Sequence, residues 1–439
     1  APQTINQPKT VGAIDTIYSV KKDAPLPNYV EEIKAIEKTP IGNIDHVYAD
    51  WIKTVQLYPI GSEVSQPILT LQQDYQLLLQ FDDLDADYKN YKYRIIHCNA
   101  DWTQSILIDS DYLEGFTENY ITDNEYSFNT TTAYSHYKLN LPNQDVRFTK
   151  SGNYIVSVFL DNPKNPIFTK RFFILENLVT IEATAKRATI LDDRNLKHEI
   201  DFNILHGGHP IENPYEGLHV TLLQNHRWDN AITDLLPLFI KDSELQYNYE
   251  GSNCFWAGNE YRYFDSKSMR FLGDRITRVA YDSVQHVFLR KEPKRSFSQY
   301  STEYDINGRY VIRVQEGFES EVEADYVQTH FSLAYDQPIL EGDLYIFGAL
   351  TNWEIHPEAK LKFNRTAKAY ETSILLKQGY YNYEYALVPI YKNTIDNTYI
   401  EGTHFQTENE YSIFVYNRNS SEQYDRLIGM KQLSTGGIF

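Results

Sequence analysis

The stretch SGNYIVSVFLDNPKNPIFTKRFFILE (151–176) decides the fold class. Tyr154, Val156, Val158 and Leu160 recur every second residue, 161–166 interrupts them, and the period resumes over 167–175. A period of two puts alternate side chains on opposite faces of a β-strand, one toward a core and one toward water. Asn-Pro occurs twice in the interruption, and proline presets φ while lacking the N–H that a strand ladder needs. The stretch therefore reads as a β-hairpin with a loop longer than the tight two-residue kind. The same period appears upstream. In YKYRIIHCNADW (91–102), Tyr91, Tyr93, Ile95 and His97 alternate with Lys92, Arg94, Ile96 and Cys98. Tyr75, Leu77, Leu79 and Phe81 alternate with Gln76, Leu78 and Gln80, and AYSHYKLNLPN (133–143) adds another strand-like segment.

Working outward, 45–176 is expected to be a first β-sandwich. Val179, Ile181 and Ala183 restart the alternation, which continues through 219–223, 261–264 and 310–314, so a second sandwich is placed at 177–318. Its middle, 225–300, is poorly periodic and richer in charge, and is read as long loops or short helices. EGFESEVEAD (316–325) carries five acids in ten residues and reads as a linker. A third sandwich follows at 319–439, with Tyr381, Tyr383, Tyr385 and Leu387 alternating near its end. Residues 1–44, with five prolines, read as an extended arm with at most a turn or two of helix at 28–38. The tail at 434–439 is expected to fray. The fold class is thus all-β, three tandem immunoglobulin-like or early-set sandwiches with few helices.

Composition agrees. Thirty-six tyrosines and 22 phenylalanines suit pleated, half-buried surfaces, and packing on strand faces is the first use for them. The 41 basic residues against 60 acidic ones leave a net charge of −19. That field repels phosphate backbones and anionic lipid, so neither nucleic acid nor membrane insertion is expected. No run of 18 apolar residues offers a transmembrane helix. The two cysteines, Cys98 and Cys254, fall in different expected domains and are read as buried free thiols.

Signatures of catalysis fail on spacing. His198-Glu199 begins a zinc-protease motif, but Phe202 stands where the second histidine belongs. Asp83, Asp85 and Asp87 imitate the opening of a calcium loop, yet Tyr88 replaces its glycine and Arg94 its closing glutamate. His206 and His209 flank a Gly-Gly turn with no further ligand nearby. No nucleophile elbow or phosphate loop occurs, and nothing singles out a carboxylate pair. The sequence is therefore expected to hold no catalytic, cofactor-binding or metal site. One binding cue is local. LYIFGALTNW (344–353) followed by 376–387 resembles the early-set sandwich of glycogen- and starch-binding modules, which stack sugars on exposed tryptophans. Trp353 is the last tryptophan of the chain, so a second platform is missing. Trp353, Tyr380 and Tyr381 are the candidate ligand or partner surface, and a glycan-binding surface protein is the alternative function.

Taken with LLQNHRWDNAI (222–232), GNEYRYFD (258–265), YDINGRYVIR (304–313) and LKQGYYNYEYALV (376–388), the segments of 91–176 resemble the plug protein family of the type IX secretion system of Bacteroidota, over about 45–430. The resemblance implies a non-catalytic periplasmic subunit without cofactors, monomeric before assembly. It would close the periplasmic mouth of a giant outer-membrane translocon barrel, whose lateral opening a separate protein serves. The family offers no motif for individual contact residues.

Overall fold

The hairpin of 151–176 forms the centre of the first sheet. Gly152–Phe159 and Phe168–Leu175 pair antiparallel, with Tyr154 opposite Phe172 and Val158 opposite Phe168. Lys92–Cys98 lies on the other side of Gly152–Phe159. His46–Val47 and Ile68–Thr70 both border Phe168–Leu175, the second of them parallel to it. A facing sheet runs in the order Ile52–Pro59, Leu77–Asp83, Ser135–Leu141, Asp123–Tyr126. Between the two sheets lie Leu79, Phe81, Tyr93, Ile95, Tyr154 and Val156, among others. The rings of Phe81, Tyr91 and Tyr137 meet with centroids 4.9–5.2 Å apart. Tyrosine serves here because its polar tip can find an acceptor at the edge of the core. Tyr91 donates to Asp83 at 2.8 Å, and Tyr154 to the Lys150 carbonyl at 2.8 Å.

The structure is a computed structural model and describes residues 43–392 and 394–436. Most of the expected arm at 1–44, its helical stretch at 28–38 and the last three residues of the tail lie outside them. Within them, Ser434 ends a strand and Thr435 is buried, bonded to Asn409. The chain is nearly all β. The α-helices among the described residues are three four-residue turns, Asp109–Tyr112, Ser320–Glu323 and Thr398–Glu401. No described helix is long and apolar enough to cross a membrane.

A second core lies between two more sheets. One joins Thr180–Arg187, Lys197–Leu205, Glu244–Tyr247 and Phe239–Lys241, with Cys254–Trp256 also on Lys197–Leu205. The other joins Leu218–Gln224, Glu410–Asn417 and Arg426–Ser434. The third core is interposed between the halves of the second. Its first sheet sets Arg262–Asp265, Tyr310–Ile312 and Gly342–Phe347 against Gly379–Pro389. Its second sheet orders Ile276–Tyr281, Gln285–Leu289, Tyr326–Ala334, Ala369–Lys377 and Lys362–Asn364.

The sheets therefore cut across the expected boundary between 318 and 319. Segments 258–265 and 304–313, assigned to the second sandwich, supply strands that pair with Gly379–Pro389 of the third core. Conversely 410–434, assigned to the third, pairs with Leu218–Gln224 of the second. A period of two marks a strand but carries no information about which distant strand it joins. The irregular middle, 225–300, holds six strands and no helix. The acidic stretch 316–325 is not a loose linker. It turns through Ser320–Glu323, buries Val322, and ends at buried Asp325, whose carboxylate accepts the N–H groups of Thr131 and Thr132.

Candidate functional site

The three residues read from sequence as a surface do not share one. Trp353 follows the 3-10 turn Ala349–Thr351, and its half-buried indole lies edge-on to Phe347 and Tyr261, with centroids 5.5 and 6.0 Å apart. The Arg227 guanidinium sits 5.0 Å from the ring centroid. Gly308 (φ +78°) lets the backbone reach the indole, with which any Cβ would collide. Trp353 is thus a wedge between the second and third cores. Tyr380 is half-exposed and stacks on Tyr263 at 5.5 Å. Tyr381, 2% exposed, lies between the rings of Phe264 and Tyr310. Successive residues of a strand point to opposite faces, so Tyr380 and Tyr381 are separated by the sheet itself.

The polar clusters examined for chemistry have structural partners. The oxygens of Asp83, Asp85 and Asp87 converge, and the Lys89 ammonium fills their centre at 2.8, 2.5 and 3.1 Å. His198 is buried, with Nδ1 2.8 Å from the Tyr411 hydroxyl and Nε2 2.7 Å from the Phe405 carbonyl. Glu199 accepts the Thr189 N–H and pairs with Lys186. His206 and His209 are not joined as two free imidazoles, since His206 Nδ1 lies 3.3 Å from the His209 carbonyl and His209 Nε2 meets Asn417. Both cysteines are free; Cys98 is buried and Cys254 partly so. Burial pushes both thiols up to about 12, which keeps them protonated and unreactive near neutrality.

What the sequence reading missed is a set of charged side chains that clamp one core to another. At the first–third junction, Asp82 is wholly buried at the end of a first-core strand. Lys377 of the third core donates to it at 2.6 Å, the Tyr326 hydroxyl at 2.6 Å, and His136 Nδ1 lies 2.6 Å from its other oxygen. The Lys377 ammonium also donates to the Glu321 carbonyl and sits 4.1 Å above the Tyr134 ring. Burial acts to raise the carboxyl pKa, but Lys377 and His136 outweigh it and hold Asp82 below the usual carboxylate range.

At the first–second junction, the indoles of Trp102 and Trp228 meet edge-to-face with centroids 5.1 Å apart, and the Arg171 guanidinium lies against both, 4.4 and 4.8 Å from their centroids. Phe173 stacks on Phe414 at 4.7 Å, within an apolar cluster drawn from both cores. At the second–third junction, Arg227 pairs with Asp229 at 2.7 Å and Glu384 at 3.4 Å. A signal was present in the sequence: Asp82-Asp83 closes a hydrophobic strand run, and Glu384 interrupts a tyrosine one. Charges inside strands need partners, but the clamping partners are remote in sequence, Lys377 lying 295 residues from Asp82 and Arg227 157 residues from Glu384.

These arrangements fix three cores against each other from residue 43 onward. Residues 52–176, which make the first core, match the family described as the type 9 secretion system plug protein 1st domain. A crystal structure of a hypothetical protein from Parabacteroides merdae is 38% identical, with a TM-score of 0.86, over 90% of this chain and 100% of that one. No curated protein matches. With its first core matched to that domain and 90% of its length shared with a solved relative, the chain belongs to the type 9 secretion system plug protein family.

Proposed function

We propose that this type IX secretion component is a steric stopper, seated at the periplasmic end of the outer-membrane translocon barrel and released without any covalent step. The observation that carries the reading is the clamping of the three cores by buried contacts, above all the Asp82–Lys377 pair and the packing of Arg171 against Trp102 and Trp228. A stopper must resist deformation. Single flexible loops do not fill the lumen of the widest outer-membrane barrels, whereas a sandwich of about 120 residues is roughly 35 Å across. In this reading the protein is periplasmic, binds no cofactor and acts as a monomer before it docks.

The test is affinity isolation of the tagged chain from native envelopes after mild detergent extraction, with quantitative mass spectrometry. The expected result is an outer-membrane barrel of the secretion system at near-equal stoichiometry. Good recovery of the chain without any such barrel would overturn the proposal.

A further inference from the structure

Phe318 is 100% exposed. A lone exposed aromatic is ordinary; this one is held in place. The Glu323 carboxylate accepts the N–H groups of Phe318 at 2.5 Å and Glu319 at 2.6 Å, and Ser320 Oγ accepts the Val314 N–H at 3.1 Å. Glu316 is bound by the Ser268 hydroxyl. Gly317 gives the Glu323 carboxylate its space, since a Cβ there would come within 2.8 Å of the carboxylate oxygen.

The turn is fastened to the first core as well. The Val322 carbonyl accepts the Phe128 N–H at 2.9 Å, and the Tyr134 hydroxyl donates to the Glu321 and Ala324 carbonyls. This brings the turn beside the loop that follows Asp123–Tyr126, where Tyr126 is 58% and Phe128 63% exposed. Exposed aromatics from two cores thus gather at one junction. Asp123, Glu125, Glu319 and Glu321 flank them, while Lys138, held by Glu125 and Glu321, is the base paired there.

We propose that this junction is a docking surface for a protein partner bearing an apolar pocket rimmed by lysine or arginine, with Phe318 the inserted side chain. The acidic flank selects the occupant: it repels anionic lipid and complements a basic rim. A backbone already fixed around Phe318 lowers the ordering cost of binding, and a protruding aromatic entering a pocket is the usual form of an energetic anchor. The inference rests on the stopper reading and names the face that meets the barrel.

The test titrates the purified full-length chain onto the immobilised translocon barrel, alongside Phe318→Ala, Glu319→Lys and a control, Phe297→Ala, whose side chain is also exposed but belongs to another loop. Circular dichroism and thermal midpoints check that every variant folds as the parent does. The expected result is a loss of affinity of roughly 30-fold for Phe318→Ala. Glu319→Lys should slow association and flatten its salt dependence, and Phe297→Ala should match the parent. Parent and Phe318→Ala binding equally, or Phe297→Ala losing as much, would overturn this surface while leaving the stopper reading standing. A parent chain that does not bind the barrel at all would overturn both.

Discussion

Asp82 shows how much of this molecule depends on single buried charges. Its carboxylate is shared by Lys377, Tyr326 and His136, so removing one partner strands the others. Lys377→Met should destabilise the chain by about 3–5 kcal/mol, because it leaves an uncompensated buried anion. Adding Asp82→Leu to that variant should recover most of the loss, since no charge is then stranded; urea midpoints of the single and double variants measure both. The acid limb of stability follows from the same group. A carboxyl whose folded pKa is depressed contributes stability above its unfolded value, about 4, and that contribution is lost as pH falls through the folded value. Trp353→Ala opens a hole against Gly308, Phe347 and Tyr261. Its cost should be about 3 kcal/mol, the low end for a buried tryptophan because the indole is half-exposed. Thermal or urea unfolding would read this loss.

At the scale of elements, the strand Gly379–Pro389 shows what local pattern conveys and where it stops. Its alternation is plain in YYNYEYALV (380–388), and the strand forms as expected. Alternation predicts one wet face, yet Asn382 and Glu384 are buried too, because the second core and the segment near 306–308 cover that face. The hairpin of 151–176 was legible for the opposite reason, since everything that defines it lies within those residues. The role of 410–434 was not legible, since its partner strand lies two hundred residues upstream, beyond a whole core. Nor did the candidate surface emerge: Tyr380 and Tyr381 were grouped by adjacency, and strand geometry divides them. Burial of acids around the second–third junction has a further effect. Burial, with Asp305 and Glu408 adding to it, pushes Glu260 up to about 7. Burial, with Glu408, raises Asp305 to about 6, and burial, with Glu401, outweighs Arg227 to raise Glu384 to about 7. Groups whose folded pKa is raised contribute stability that is full below their unfolded values and lost as pH rises through the folded ones. Buried histidines held low, such as His97 and His226, act in the opposite sense below about pH 6.5. The share of Glu260 is therefore read as a difference: the thermal midpoint of the parent should fall relative to that of Glu260→Gln as pH rises from about 5 to about 8. A difference that stays constant across this window would contradict the assignment.

At the scale of the whole molecule, continuity of the cores does not depend on continuity of the chain. The second core is closed by strands from before and after the third. A single engineered protease site in the loop that carries exposed Phe271 should therefore, once cut, give two fragments that still co-elute on size exclusion and separate only in denaturant. Fragments that part in native buffer would show the junctions to be weaker than their contacts indicate. The same interposition sets the path of mechanical load. The chain leaves the second core after Trp256 and re-enters it at Glu410, so tension drawn between residues 43 and 436 runs through the first and second cores. The third is left as an unloaded branch. The line ends in Arg426–Ser434, whose outer part, 429–434, is laddered to the strand of 410–415 alone. A tug on that end would unzip these rungs in succession, drawing Leu433 and then Met430 out of their packing one at a time.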